Sequence, residues 1–272
     1  MIEKTQKIRK RVPVAAIVIM VVLGLYTVSV FVPLAWGFIV SFKSRTNFTE
    51  FPFGFPDKLM FSNYVTAFKH FEYTLDGTTG DVVGIGAMLV NTLLYSLGSS
   101  FFSTMSACVV AYVTAKFDFF PSKIIYGIVI VTIALPIVGA APSELHIVRL
   151  LHIYDTHIGM WILKSGFAGL YYLIFYAMFK GIPKDFNDAA AVDGASHYRT
   201  FFTIVFPLVL KTFSTVYLLY FIGFWNDYQT PLIYMPSFPT LAMGLYSFTF
   251  STNSAVGSVP IRMAGNFMIF VP

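Results

Sequence analysis

The sequence is short of charge. Asp, Glu, Lys and Arg supply 11% of its 272 residues, whereas soluble domains carry roughly 25%. A soluble chain this poor in charge could not cover its exterior. Cysteine is nearly absent as well. The single Cys108 rules out an intrachain disulfide framework, and its apolar setting reads as packing. No G-x-x-x-x-G-K-[ST] phosphate loop occurs, and "GTTGD" at 77–81 lacks the lysine. We find no internal repeat, no low-complexity tract and no nucleophile–base constellation. An ion-coupled secondary transporter would call for a repeat or paired buried acids, and a membrane-bound enzyme for a catalytic group. Neither class has support here, and no catalytic residue is expected.

What is there is apolar: 57% hydrophobic and 18% aromatic residues, with a mean hydropathy of +0.73. This is the composition of an integral membrane protein. The formal net charge of +5 is then read by position, because Lys and Arg concentrate in cytoplasmic segments. Nucleic acid is not an expected partner. The N-terminal "MIEKTQKIRKR" precedes an uncharged run from Val12 to Phe42, longer than the 7–15 or so apolar residues of a signal peptide. We read 1–13 as a tail and 14–272 as one transmembrane domain.

The fold expected is all-α with six transmembrane helices. A spanning helix needs about 20 apolar residues. The runs are Val14–Ser41, Val82–Ala115, Ile124–Ala141, Ile158–Phe179, Leu208–Ile233 and a last stretch from Gly257. Pro136 and Pro142 kink or end the third, and "SELHIVRLLHIYDTH" reads as a surface helix. The last stretch falls short of a full span, which predicts a last helix truncated at 272. Lys4, Lys7, Arg9, Lys10 and Arg11 against Glu3 put the N-terminus in the cytoplasm. Alternation then makes the loop at 43–81 external, brings Lys116 and Lys123 inside, and leaves the uncharged Tyr228–Val256 connection outside. Lys180, Lys184 and Arg199 bring the segment at 183–199 inside, and the C-terminus also falls inside.

That inner segment contains "DAAAVDGASHYRTFFTIVFP", Asp188 to Pro207. Pro183 suits a first helical turn. Asp185 and Asp188 favour a helix N-terminus, and Ala189, Ala190 and Ala191 are strong helix formers. Asp193-Gly194 stops the helix, since glycine readily takes the left-handed conformation. The pattern predicts helix, glycine turn, helix. From these residues alone, a plain linker and a docking knob are equally good readings.

The segment resembles the cytoplasmic signature of ATP-binding-cassette importer permeases, E-A-A-x-x-D-G-A followed by an aromatic, an I and L-P. Here it reads D-A-A-A-V-D-G-A over Asp188–Ala195, then Phe201, Phe202, Ile204 and Phe206-Pro207. Asp188 replaces the glutamate and Phe206 the leucine. "NYVTAF" at Asn63–Phe68, "NTLLYS" at Asn91–Ser96, "AYVTAKFDFFPSK" with Lys116 for an arginine, and "FIGFWNDYQTPLIY" at Phe221–Tyr234 resemble further family pieces. The likeness covers nearly the whole chain and is nearest to the maltose-permease smaller-subunit type of carbohydrate importer.

The resemblance implies a permease subunit in the bacterial plasma (inner) membrane that moves a sugar or oligosaccharide inward. A second homologous permease, two ATPase subunits and an external sugar-binding protein would be its partners. ATP and Mg would sit on the ATPase, with no cofactor on this chain. Asp188, Ala189, Ala190, Asp193, Gly194 and Ala195 would form the coupling element. A polyamine or another small solute is the alternative cargo.

Substrate contacts are expected from Asn91, Thr132, Lys164, Tyr172, Asn226 and Asp227. Two have a plainer reading: Lys164 snorkels outward, and Asp227 is an interfacial acid bonded to Trp225 or Asn226. Lys211 also reads as snorkelling. His146, His152 and His157, at spacings of six and five, do not share one helix face, so no metal site is expected.

Overall fold

The computed structural model describes residues 14–75, 80–117, 119–135, 139–183 and 185–269. The charged tail at 1–13, most of "GTTGD", Pro136, Lys184 and the chain end at 272 lie outside the described residues. In chain order the elements are α1 (Val14–Ser41), α2 (Arg45–Glu50), α3 (Ser62–Lys69), β1 (Glu72–Thr74), β2 (Val82–Gly84) and α4 (Ile85–Lys116). Then come α5 (Phe120–Ala134), α6 (Ala141–Leu150), α7 (His157–Lys164), α8 (Leu170–Gly181) and α9 (Asp185–Val192). The last are α10 (His197–Thr200), a π-helical turn (Phe201–Val205), α11 (Phe206–Trp225), α12 (Gln229–Tyr234), α13 (Leu241–Phe250) and α14 (Val259–Ile269).

Among the described residues three helical stretches are long and apolar enough to cross a membrane: Val14–Ser41, Ile85–Lys116 and His197–Trp225. The first coincides with the expected span. The second starts later than Val82, because Val82–Gly84 pairs antiparallel with Glu72–Thr74. Where the third span is expected there is a shorter apolar helix, Phe120–Ala134. The fourth is not continuous. It breaks between Lys164 and Leu170, where "SGFAG" places two helix-weakening glycines in five residues. The fifth is displaced towards the N-terminus. It begins at His197 and ends at Trp225, so the second helix of the expected pair at 183–199 is the first turn of a long helix. Pro207 has no N–H and clashes with a carbonyl four residues back. The helix accommodates it by widening just upstream into the π-turn, where the Phe206 amide bonds the Phe201 carbonyl.

The chain divides into two compact units. One runs up to His70 and resumes at Ser251. In it α14 packs on α1, α2 and α3. Phe38 and Phe267 meet edge to face at 5.5 Å, and Arg262 ties the approach to α14 by donating to the Ser251 and Val256 carbonyls. The other unit spans Phe71–Phe250 and is organised around α4, which α7, α8, α11 and α13 all touch. One face of α4 is small: Ser96, Ser99, Ser100, Ser103, Thr104, Ala107, Cys108, Ala111 and Ala115 are buried. Small residues let helix backbones approach closely, the usual basis of packing inside membranes. Larger side chains from the neighbours, among them Tyr172, Phe175, Phe179, Val205, Val209 and Phe213, fill the space against the C-terminal half of α4.

Candidate coupling surface

Helix α9 opens with Asp185 and Asp188 in its first turn, where carboxylates meet the positive end of the helix dipole. It closes at Gly194, whose φ is +72°. The Ala195 amide donates to the Ala190 carbonyl at 2.9 Å and the Gly194 amide to Ala191 at 3.1 Å. This pair of reversed bonds is the Schellman closure, which satisfies the last carbonyls and turns the chain back. Ser196 then caps α10 by accepting from the Arg199 amide at 3.3 Å. The helix, glycine turn and helix expected from the sequence are therefore one hydrogen-bonded corner.

Of that corner Ala190 is buried, while Asp188, Ala189, Asp193 and Gly194 are exposed and Ala195 is half-buried. Val192 is 88% and Tyr198 81% exposed, unusual for apolar and aromatic side chains beside a charged loop. Behind the corner lies a cleft of about 250 Å³ lined by Tyr112, Lys116, Phe117, Asn187, Asp188 and Thr200, among others. The corner is tied to α4. The buried Lys116 ammonium donates to the Ile182 carbonyl just before α9, and Phe117 meets His197 edge to face at 5.2 Å. Tyr112 packs on Phe179 and Phe201 at 5.4 and 4.8 Å. Lys116, noted in sequence as a cytoplasmic cation and a substitute for arginine, thus belongs to the corner through tertiary structure.

The residues expected to contact substrate do not gather into one site. Asn91 donates to the Pro239 carbonyl at 3.1 Å. Thr132 and Asn226 bond back to carbonyls four residues earlier in their own helices. Tyr172 is fully buried, its hydroxyl 2.7 Å from that of Thr114, which places it in the core rather than on an open surface. Lys164 ends α7, where its backbone carbonyl accepts from Ser103 at 2.6 Å. Asp227 accepts from Tyr95 at 2.9 Å and from the Thr230 amide at 3.0 Å. Its partners are therefore not Trp225 or Asn226. It fastens α12 to α4 across a stretch of sequence that gives no hint of the pairing.

Asp155, unremarked in the sequence, does similar work. It adopts φ +56°, donates its amide to the Tyr234 carbonyl at 2.9 Å and accepts from the Ser237 amide at 3.0 Å. Its short polar side chain suits the left-handed conformation. No three His, Cys, Asp or Glu side chains gather as a ligand set among the described residues. His157 instead packs on Phe238 at 4.9 Å.

Residues 103–269 match the family model of the binding-protein-dependent transport system inner membrane component. The chain is 26% identical over 209 residues to the diacetylchitobiose uptake system permease of Streptomyces coelicolor, covering 76% of this chain and 65% of that protein. It is 26% identical over 211 residues to a probable starch degradation products transport permease of Thermoanaerobacterium thermosulfurigenes, covering 77% and 72%. The match to the first of these thus spans just under two thirds of that relative's own length. A bacterial ABC transporter involved in the import of the acidic polysaccharide alginate superposes with a TM-score of 0.74 at 20% identity, covering 94% of this chain and 91% of its counterpart. That likeness is one of fold. The matched region runs from the middle of α4 to the end of α14 and takes in the whole Schellman corner, so the chain belongs to the family of binding-protein-dependent transport system inner membrane components.

Proposed function

We propose that this chain is the permease subunit of an ATP-driven importer for a sugar or oligosaccharide, and that the corner around Gly194 transmits the ATPase stroke. The observation that carries the reading is the corner itself, a rigid, hydrogen-bonded turn of small residues exposed at its tip and anchored at its base to α4. A knob so built moves with the helix behind it. A flexible linker would absorb a push, whereas a capped helix end tied through Lys116 passes it to α4 and, through Phe201, to α11. Relatives named for diacetylchitobiose and starch products support a carbohydrate cargo.

In this reading the six spans are α1, α4, α5, the broken α7–α8 pair, the α10–α11 helix and α14, with both termini cytoplasmic. Asp188, Ala189, Ala190, Asp193, Gly194 and Ala195 dock on an ATPase subunit that holds ATP and Mg. A second homologous permease completes the pathway, and an external binding protein delivers the solute. Asn91, Lys164 and Asp227 are proposed as pathway residues on their polar chemistry and partial burial.

The test is Gly194→Pro. Proline cannot reach a φ of +72° and has no amide to donate to Ala191. The variant should still co-purify with the second permease and lose binding-protein-stimulated ATP hydrolysis. Normal stimulated hydrolysis would reject the docking role. A panel of neutral and acidic oligosaccharides in the same assay identifies the cargo.

A further inference from the structure

Beyond transport, the loop after α1 carries an unexplained surface. Phe51, Phe53, Phe55, Leu59 and Phe61 are all exposed, Phe53 at 85% and Phe55 at 81%. We infer that this loop, "FPFGFP" at 51–56, is a wedge that inserts its phenylalanines into the membrane leaflet at the C-terminal end of α1. The inference rests only on α1 crossing the membrane.

The level of the loop is set by α1 itself. The Trp36 indole donates to the Pro52 carbonyl at 3.0 Å, and Phe53 packs on the Trp36 ring at 6.0 Å. Trp36 lies five residues before the end of α1 at Ser41, roughly 7–8 Å back along the helix by its rise. The chain therefore leaves α1, turns, and folds back beside it. Counting about 20 residues of hydrocarbon from Val14 reaches residue 34 or so, which puts Trp36 at the interface, where tryptophan is favoured. Phe53 stands at that depth through its contact with Trp36, and the exposed Phe51 and Phe55 flank it in sequence. They continue the apolar surface of α1, whose side chains from Val14 to Phe31 are open along the helix.

Charge placement fits a lipid occupant. No charged residue lies between Phe51 and Pro56. Lys43, the first cation after α1, is fully buried, with its ammonium donating to the Phe51 and Pro52 carbonyls at 2.5 and 3.4 Å. That adds a charged donor to carbonyls already bonded by the Gly54 amide and the Trp36 indole and removes a charge from the surface. The exposed ions, Arg45, Glu50, Asp57 and Lys58, flank the patch on both sides in sequence. An apolar tip with a charged rim matches a headgroup boundary, as for interfacial helices.

The test uses the complete transporter in lipid vesicles, with Cys108→Ala so that this chain keeps no native thiol and with cysteine-free partner subunits. Nitroxide labels at Phe53→Cys and Phe55→Cys are compared with Leu25→Cys on α1 and Lys58→Cys on the rim. Collisional accessibility to oxygen, relative to a water-soluble nickel chelate, should be as high at 53 and 55 as at 25, and several-fold above 58. Nickel accessibility at 53 and 55 equal to that at 58 would mean water, and shielding from both reagents would mean a protein cover. Either result overturns the wedge. A low oxygen ratio at 25 would overturn the span itself, and the wedge with it.

Discussion

The hydroxyl of Tyr95 donates to the carboxylate of Asp227 at 2.9 Å, joining the middle of α4 to the start of α12. Tyr95 is fully buried, and Asp227 also caps the Thr230 amide. Removing the donor leaves a half-buried carboxylate short of one partner, at a cost of about 1–3 kcal/mol. Tyr95→Phe should lower the thermal midpoint of the purified complex. Asp227→Ala added to it should cost less than the sum of the single variants, because the two residues share one interaction. Full additivity would mean the bond contributes nothing.

Two glycines on α4 separate packing from propensity. A Cβ on Gly98 would lie 2.1 Å from Trp161 Nε1, and that indole donates to the Leu94 carbonyl at 3.0 Å. Gly98→Ala must expel the ring and should destabilise by about 1–3 kcal/mol, as overpacking does. Gly86 has nothing within 4 Å, so Gly86→Ala should be neutral or up to about 1 kcal/mol stabilising. Thermal melts of both variants decide it, and equal effects would reject the packing argument.

Lys116 fixes the base of the corner through the Ile182 carbonyl. Lys116→Met keeps the aliphatic stem and removes the donor, so the amides from Asp185 to Ala195 should exchange hydrogen faster. Lys116→Arg, still a donor, should restore protection. Exchange measured on the complex checks this, and unchanged protection in the methionine variant would show that the corner holds without the tie.

Lys43 makes a similar tie in the other unit. Its ammonium holds the Phe51 and Pro52 carbonyls, and Lys43→Met should loosen the loop by about 1.5–3 kcal/mol through loss of these charged hydrogen bonds. Limited proteolysis between Phe51 and Phe61 should quicken in that variant. The exposed Lys58→Met is the comparison, since surface changes away from such features usually stay within about 0.5 kcal/mol.

Much of this architecture is legible in the residues. The uncharged run ending at Ser41 is a helix because twenty-odd apolar residues have no other way to satisfy their backbone in lipid. The corner at Gly194 is legible because its cause is local: alanines, an acidic first turn and a glycine that accepts a positive φ. The breaks are less legible. The fourth apolar run reads as continuous because hydropathy does not register "SGFAG" as an interruption. The start of the long helix at His197 is not legible, because proline ordinarily breaks a helix, whereas the π-turn before Pro207 lets this one continue.

Composition and short-range hydrogen bonding act within a few residues, so the class of protein, the first apolar helix and the Gly194 corner can be read from the residues. What Asp227, Asp155, Lys116 and Lys43 hold depends on the folded chain. Each of these polar groups takes a partner supplied by a distant segment or a folded-back loop, and no local pattern encodes which one. In an apolar surrounding an unmatched polar group is costly, so the fold brings those partners together.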